Sequence, residues 1–128
     1  MPKTVNIEIH GTEEVQKMLK DKDKQITDAV LQELLRQGFF IEGEVKLSIA
    51  GQRNEPRSVD TGRFLNSVHT DQKQDGSVII APAVEYSNVL EFGTSTRKGR
   101  YHFRNTAARN KNKVQDAIKA KIIQVTKL

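Results

Sequence analysis

The sequence has no cysteine and no tryptophan, and only 3 prolines among its 128 residues. Without cysteine, neither a disulfide nor a thiolate zinc site can form, an absence that fits a reducing compartment. Aromatic residues make up 5% of the chain and the mean hydropathy is −0.60. The core must therefore be mostly aliphatic and modest in size, which leaves room for a partner surface to complete it. No apolar run approaches the roughly 18 residues a membrane span needs, and Met1-Pro2-Lys3-Thr4 has no apolar segment behind it that would serve as a secretion signal. The expectation is a soluble, intracellularly made protein that does not meet a membrane.

What is present points to one domain covering residues 1–128, large enough for a single core and too short for two. The formal net charge is +5 and the isoelectric point is near 9.6. Such a balance permits contact with nucleic acid or with an acidic protein face, although a small basic domain is more often simply solvated.

Val5-Asn6-Ile7-Glu8-Ile9-His10 alternates apolar and polar residues and stops at Gly11, the pattern of a half-buried strand. Thr12 stands where an N-cap belongs, and Val15, Met18 and Leu19 predict a short amphipathic helix. From Gln25 to Ile49 the positions Ile26, Val30, Leu34, Ile41, Val45 and Ile49 recur mainly at fours, predicting a helix on the order of 35 Å long packed along one face. Gly38 and Gly43 lie inside it, each costing about 1 kcal/mol relative to Ala, and predict a close approach or a bend. Residues 50–60 read as a loop. Phe64, Val68 and Thr70, and then Ser77 to Ala81, read as two strands joined by a hairpin at Lys73-Gln74-Asp75-Gly76. The expected fold class is α+β, a small and mostly antiparallel sheet against a long helix. Val84 to Phe92 predicts two helical turns stopped by a positive-φ Gly93. An extended basic loop follows, protruding at about residues 94–104, and Thr106 is expected to cap a C-terminal helix with one apolar face.

Catalytic signals are scarce. Asp60-Thr61-Gly62 has the triplet of aspartic proteases, but Arg57-Ser58 precede Val59 where that family has an apolar strand, so a polar turn is the better reading. His10, His69 and His102 fall in no metal-ligand spacing and are expected on the solvated surface, and there is no phosphate-binding glycine loop and no Gly-x-Ser-x-Gly. Glu91 is a lone carboxylate beside an aromatic and a glycine. It lacks the second group that acid-base chemistry needs, and is expected to pair with an arginine at a contact between copies.

Pro56, Thr61-Gly62, Leu65-x-Ser67-Val68, the strand leading into Tyr86, the block Glu91-Phe92-Gly93-Thr94, and Phe103 before an alanine-containing last helix occur in an order and spacing that resembles a family of tailed-phage minor structural proteins. These are the lambdoid gene-product-ten-like proteins, known as head-to-tail connector, neck or tail-completion proteins. The likeness spans about Ile26 to Val125, and its most specific piece is Tyr-x(4)-Glu-Phe-Gly-Thr followed by an aromatic and a helix. The chain departs from the family's Pro-Phe-x-x-Pro-Ala in having no proline across Tyr101 to Ala107.

The resemblance implies an α+β virion protein without catalysis or cofactor, forming a hexameric ring at the head-to-tail junction of a phage or prophage. It further implies a head-completion or connector protein on one side, a tail terminator or tail tube protein on the other, and DNA passing through by non-specific contact. No metal, small-molecule substrate or membrane is involved, and the protein is made in the host bacterial cytoplasm. The contact residues expected between copies are Tyr86, Glu91, Phe92, Gly93, Thr94, Arg97, Lys98, Arg100, Tyr101, Phe103 and Arg104. The arm from Thr94 to about His102 has no apolar side chain before Tyr101, and is expected to be mobile until a partner orders it. Two other classes stand beside this one: a nucleic-acid-binding module using the cationic segment 97–113 through phosphate contacts, and a small enzyme or nuclease-like toxin.

Overall fold

The computed structural model describes residues 4–11, 17, 24–60 and 62–126. Strand β1 (Ile7–Ile9) precedes the long helix α1 (Lys24–Ile49), and a five-residue helix α2 (Arg63–Ser67) leads into β2 (His69–Gln72) and β3 (Val78–Ala81). Helix α3 (Ser87–Phe92) and helix α4 (His102–Val125) complete the order. The expected helix begun by Thr12, with Val15, Met18 and Leu19, lies outside the described residues, as does Thr61.

The fold is α+β. β3 is the centre of a three-stranded antiparallel sheet ordered β1-β3-β2, pairing Ile7 with Ile80 on one edge and Thr70 with Ile80 on the other. The β2–β3 hairpin turns where the sequence predicts. Gly76 takes a φ of 90°, and Asp75 Oδ1 accepts the amide of Ser77 at 2.9 Å and its hydroxyl at 2.6 Å.

The α1 stripe is the one read from the spacing: Val30, Leu34, Ile41, Val45 and Ile49 are buried against the sheet and against α4. α4 contributes Phe103, Val114, Ile118 and Ile122 to the same cluster. Gly38 is where α1 comes down on the sheet. A Cβ there would lie 2.5 Å from Val78 Cγ1 and 2.8 Å from Thr70 Cγ2, so the helix sits this close only because the side chain is missing. Gly43 is the opposite case, with nothing within 4 Å of a Cβ built on it.

Two local expectations are corrected. Phe64 does not begin a strand; it is buried on α2, where Asn66 N reaches Gly62 O at 2.9 Å after a left-handed Gly62 (φ 83°). Ser67 ties this turn to the chain just after β3, donating to Phe64 O at 2.8 Å and accepting from Ala83 N at 3.1 Å. Thr106 does not cap α4 either. The helix begins a turn earlier, at His102, and Thr106 is fully buried inside it.

Candidate functional site: the Glu91–Arg104 block and the clamp beneath it

α3 ends on Glu91-Phe92, and Gly93 takes a φ of 80° as the sequence predicts. A Cβ on Gly93 would overlap Arg97 O and come within 2.5 Å of Gly99 N, and one on Gly99 would lie 2.5 Å from Glu91 O. The two glycines thus let the loop close backbone on backbone. Thr94 N donates to Arg97 O at 2.8 Å, Gly93 bridges Lys98, Arg100 N donates to Leu90 O at 2.9 Å and Tyr101 N to Glu91 O at 3.1 Å. Thr94 Oγ1 accepts the amide of Arg97 at 3.1 Å. The basic arm is therefore folded back onto α3 by its own backbone bonds. Its tip, Thr94 to Lys98, stays exposed, and residues 102–104 belong to α4. Main-chain partners supply the ordering that its lack of apolar side chains left unaccounted for.

Tyr101 then turns the chain with a φ of 56°, the only non-glycine residue among those described with a positive φ. This turn points the first amides of α4 at Glu91. Its Oε1 accepts Phe103 N at 3.0 Å and its Oε2 accepts Arg104 N at 2.9 Å. Free amides and the helix dipole make a carboxylate the natural occupant of that end. Burial raises the Glu91 pKa above its ordinary value, and the two amides pull against that rise.

The expected pairing of Glu91 with an arginine of another copy is thus corrected, because Glu91 is 2% exposed and committed within its own chain. Phe103, 1% exposed, is core. Tyr86 is half-buried against Phe64, with ring centroids 6.3 Å apart. Phe92, Gly93, Arg100 and Tyr101 are half-buried, while Thr94, Arg97, Lys98 and Arg104 are exposed. Val89, 49% exposed, belongs with this surface although the sequence reading did not single it out. The cationic segment is divided. Arg100 donates to Arg57 O at 2.7 Å, Arg109 is bonded to Glu55, Arg104 stacks 3.6 Å over Tyr101, and Lys113 lies 4.6 Å over Phe40.

Beneath the block lies a buried polar cluster that sequence reasoning missed. His102, expected in solvent, is fully buried, with Ser48 Oγ 2.7 Å from Nδ1 and Ser58 Oγ 2.7 Å from Nε2. Ser48 Oγ donates to Glu55 Oε1 at 2.6 Å, so it can only accept from the imidazole, which places the ring proton on Nδ1. Nε2 therefore accepts from Ser58, whose oxygen in turn accepts Arg100 Nη1 at 2.9 Å. At the other end Glu55 is held by both terminal nitrogens of Arg109, at 2.7 and 2.9 Å, and by Asn105 at 3.0 Å. Burial alone would raise the Glu55 carboxyl, but Arg109, Ser48 and Asn105 outweigh it and bring the pKa to about 2. Burial lowers His102 to about 4, so it is neutral near pH 7. The one sequence cue was Ser48, a polar residue at a buried position of the α1 stripe that had to find a partner.

Ser58 and His102 have the spacing of a nucleophile and its base, yet the electrostatics suit a clamp better. A histidine titrating near 4 is a weak base at neutral pH, the Ser58 oxygen is already taken by Arg100, and Arg109 neutralises Glu55. The cluster ties the end of α1, the 50–60 loop and α4 together. Among the described residues, no group of three or more His, Asp or Glu is placed to hold a metal ion, and no helix is long and apolar enough to cross a membrane. Comparison with protein-family models, with curated proteins and with solved structures finds no match to this chain.

Proposed function

We propose that this chain is a structural protein of a tailed-phage or prophage particle. Copies form a ring, hexameric by the resemblance, at the head-to-tail junction. The ring joins the DNA-filled head to the tail and surrounds the passing DNA, with a head-completion or connector protein on one face and a tail terminator or tail tube protein on the other. It is not an enzyme and holds no cofactor, and it is made in the host bacterial cytoplasm before joining the virion.

The observation that carries this reading is that the motif behind the resemblance is one physical unit. Glu91 caps the helix that Phe103 anchors, and Gly93 permits the loop that brings the two together. Residues that require one another in this way are a fold signature, so their joint occurrence weighs more than a chance match of short words. The nucleic-acid alternative has less behind it, since Arg100 and Arg109 are spent inside the fold.

The test is made in a tailed phage or prophage that encodes the chain. Deleting its gene should leave filled heads and free tails, visible by electron microscopy, and the wild-type gene supplied in trans should rejoin them. Val89→Asp should fail to rejoin them while still producing folded protein, because Val89 is exposed. Substituting Phe103 would be uninformative, since emptying a core position destabilises the fold itself, by about 3–5 kcal/mol for Phe→Ala. Normal particle yield without the gene refutes the proposal.

A further inference from the structure

The described residues include four large hydrophobic side chains that stand open to solvent, and three of them fall on two surfaces: Phe39 (55% exposed) and Leu47 (38%) on α1, and Val89 (49%) on α3. On α1, Phe39, Gly43 and Leu47 follow one another at helical spacing along one outward stripe. Since a Cβ on Gly43 would touch nothing within 4 Å, this chain's own packing makes no use of the missing side chain. Gly38, just over a turn away, is used by the sheet; Gly43 leaves a bare notch between two exposed apolar side chains.

α3 presents the converse shape. Val89 stands between two open grooves, one of about 320 Å³ lined by Leu90, Arg97, Lys98 and Arg100, the other of about 480 Å³ lined by Asn88, Phe92, Thr94 and Ser95. A knob flanked by two hollows matches a notch flanked by two knobs. Charge sets the direction. Arg97 and Lys98 are exposed and make no ion pair with any described residue. The α1 stripe continues from Phe39 toward the start of the helix through Gln32 to Asp28, both exposed, and Asp28 is a carboxylate with no ion pair to any described residue. Arg36, beside that stretch, is offset by Glu33 at 3.7 Å.

We infer that copies of this chain join head to tail by seating Val89 of one copy in the Gly43 notch of the next. Phe39 fills the groove walled by Arg97 and Lys98, and Leu47 fills the other. The two cations then lie toward Asp28, which pairs with one, and Gln32, whose amide oxygen accepts from the other. Because the two surfaces differ, each copy offers both, and the contact repeats until it closes as a ring or runs on as a filament. The inference deepens the ring reading and rests on it only for the occupant being another copy.

The chain has no cysteine of its own, which allows a clean cross-linking test. Gly43→Cys and Val89→Cys are placed together in the full chain, both at exposed positions, with circular dichroism to verify the fold, and a short bis-maleimide is added. A ladder extending beyond dimer on a denaturing gel is expected from the double variant, and monomer from each single variant. Dimers from Gly43→Cys or Val89→Cys alone would mean like surfaces meet, and monomer from the double variant would mean these surfaces do not meet; either result overturns the inference. Asp28→Lys with Gln32→Lys, added to the cysteine pair, should remove the ladder by setting like charges against Arg97 and Lys98. Arg97→Glu with Lys98→Glu, added to that, should restore it. A ladder indifferent to these changes overturns the assigned direction. The gel reads contact between copies whether or not they sit in a virion, so it fails independently of the particle assay.

Discussion

Replacing His102 by Gln and unfolding both proteins in urea at pH 7 and pH 5 tests the clamp most directly. The imidazole is fully buried, with its ordinary value of 6.5 lowered to about 4 by burial, against which the nearby charge of Glu55 works. Between those two values the folded chain binds fewer protons at this site than the unfolded chain does. The contribution to stability is therefore complete above about pH 6.5 and is lost as the pH falls toward 4. The gap between 6.5 and about 4, at about 1.36 kcal/mol for each pH unit, is worth about 3 kcal/mol, of which about 2 kcal/mol disappears between pH 7 and pH 5. Protonation would put a second N–H against Ser58 Oγ, which already accepts from Arg100, in a site that also faces Arg109. Glu55, brought down to about 2, gives up its own contribution only below its ordinary value of 4.5, so the two windows overlap little. The Gln variant is expected to be less stable at pH 7 by about 1–3 kcal/mol for imperfectly satisfied buried partners. It should also lose about 2 kcal/mol less than the native chain on going to pH 5. Equal losses in the two proteins would refute the buried, neutral histidine and the proton placement built on it.

Three further outcomes are expected. Glu91→Ala leaves the amides of Phe103 and Arg104 without their acceptor and should cost about 1–3 kcal/mol in urea unfolding, whereas unchanged stability would remove Glu91 as the cap of α4. Gly93→Val combines a φ of 80° with backbone atoms already in contact, and should lower stability by at least the roughly 1–3 kcal/mol of a strained conformation; a thermal midpoint equal to wild type would contradict the loop closure. Ala at the two helical glycines should act in opposite directions. Gly38→Ala pushes α1 off Val78 and Thr70 and destabilises, while Gly43→Ala meets nothing and stabilises the isolated chain by about 1 kcal/mol, so changes of the same sign would undo the contrast between them.

Features that rest on near neighbours and on the one-dimensional repeat of apolar residues were legible in the chain alone. The α1 stripe, the β2–β3 turn, the positive φ of Gly93 and the apolar face of α4 are of this kind, because helix period, strand period and glycine's freedom are local properties. Where polar groups find their partners depends on the third dimension. Glu91 reaches the amides of Phe103 and Arg104 across a loop whose closure depends on two glycines meeting backbone, and no periodicity records that. His102 lies 54 residues from Ser48 and 44 from Ser58, so its environment follows from how α4 crosses the end of α1 and not from its own neighbours. The arm from Thr94 to about His102 is a further case. It has no apolar side chain before Tyr101 to bury, yet hydrogen bonds to main-chain carbonyls fold it back onto α3 while Thr94 to Lys98 stay exposed, and every residue offers such a carbonyl whatever its side chain. Gly38 and Gly43 are alike on the α1 helix in one dimension. The sheet lying under one and the open space over the other separate a packing glycine from one that the isolated chain does not need.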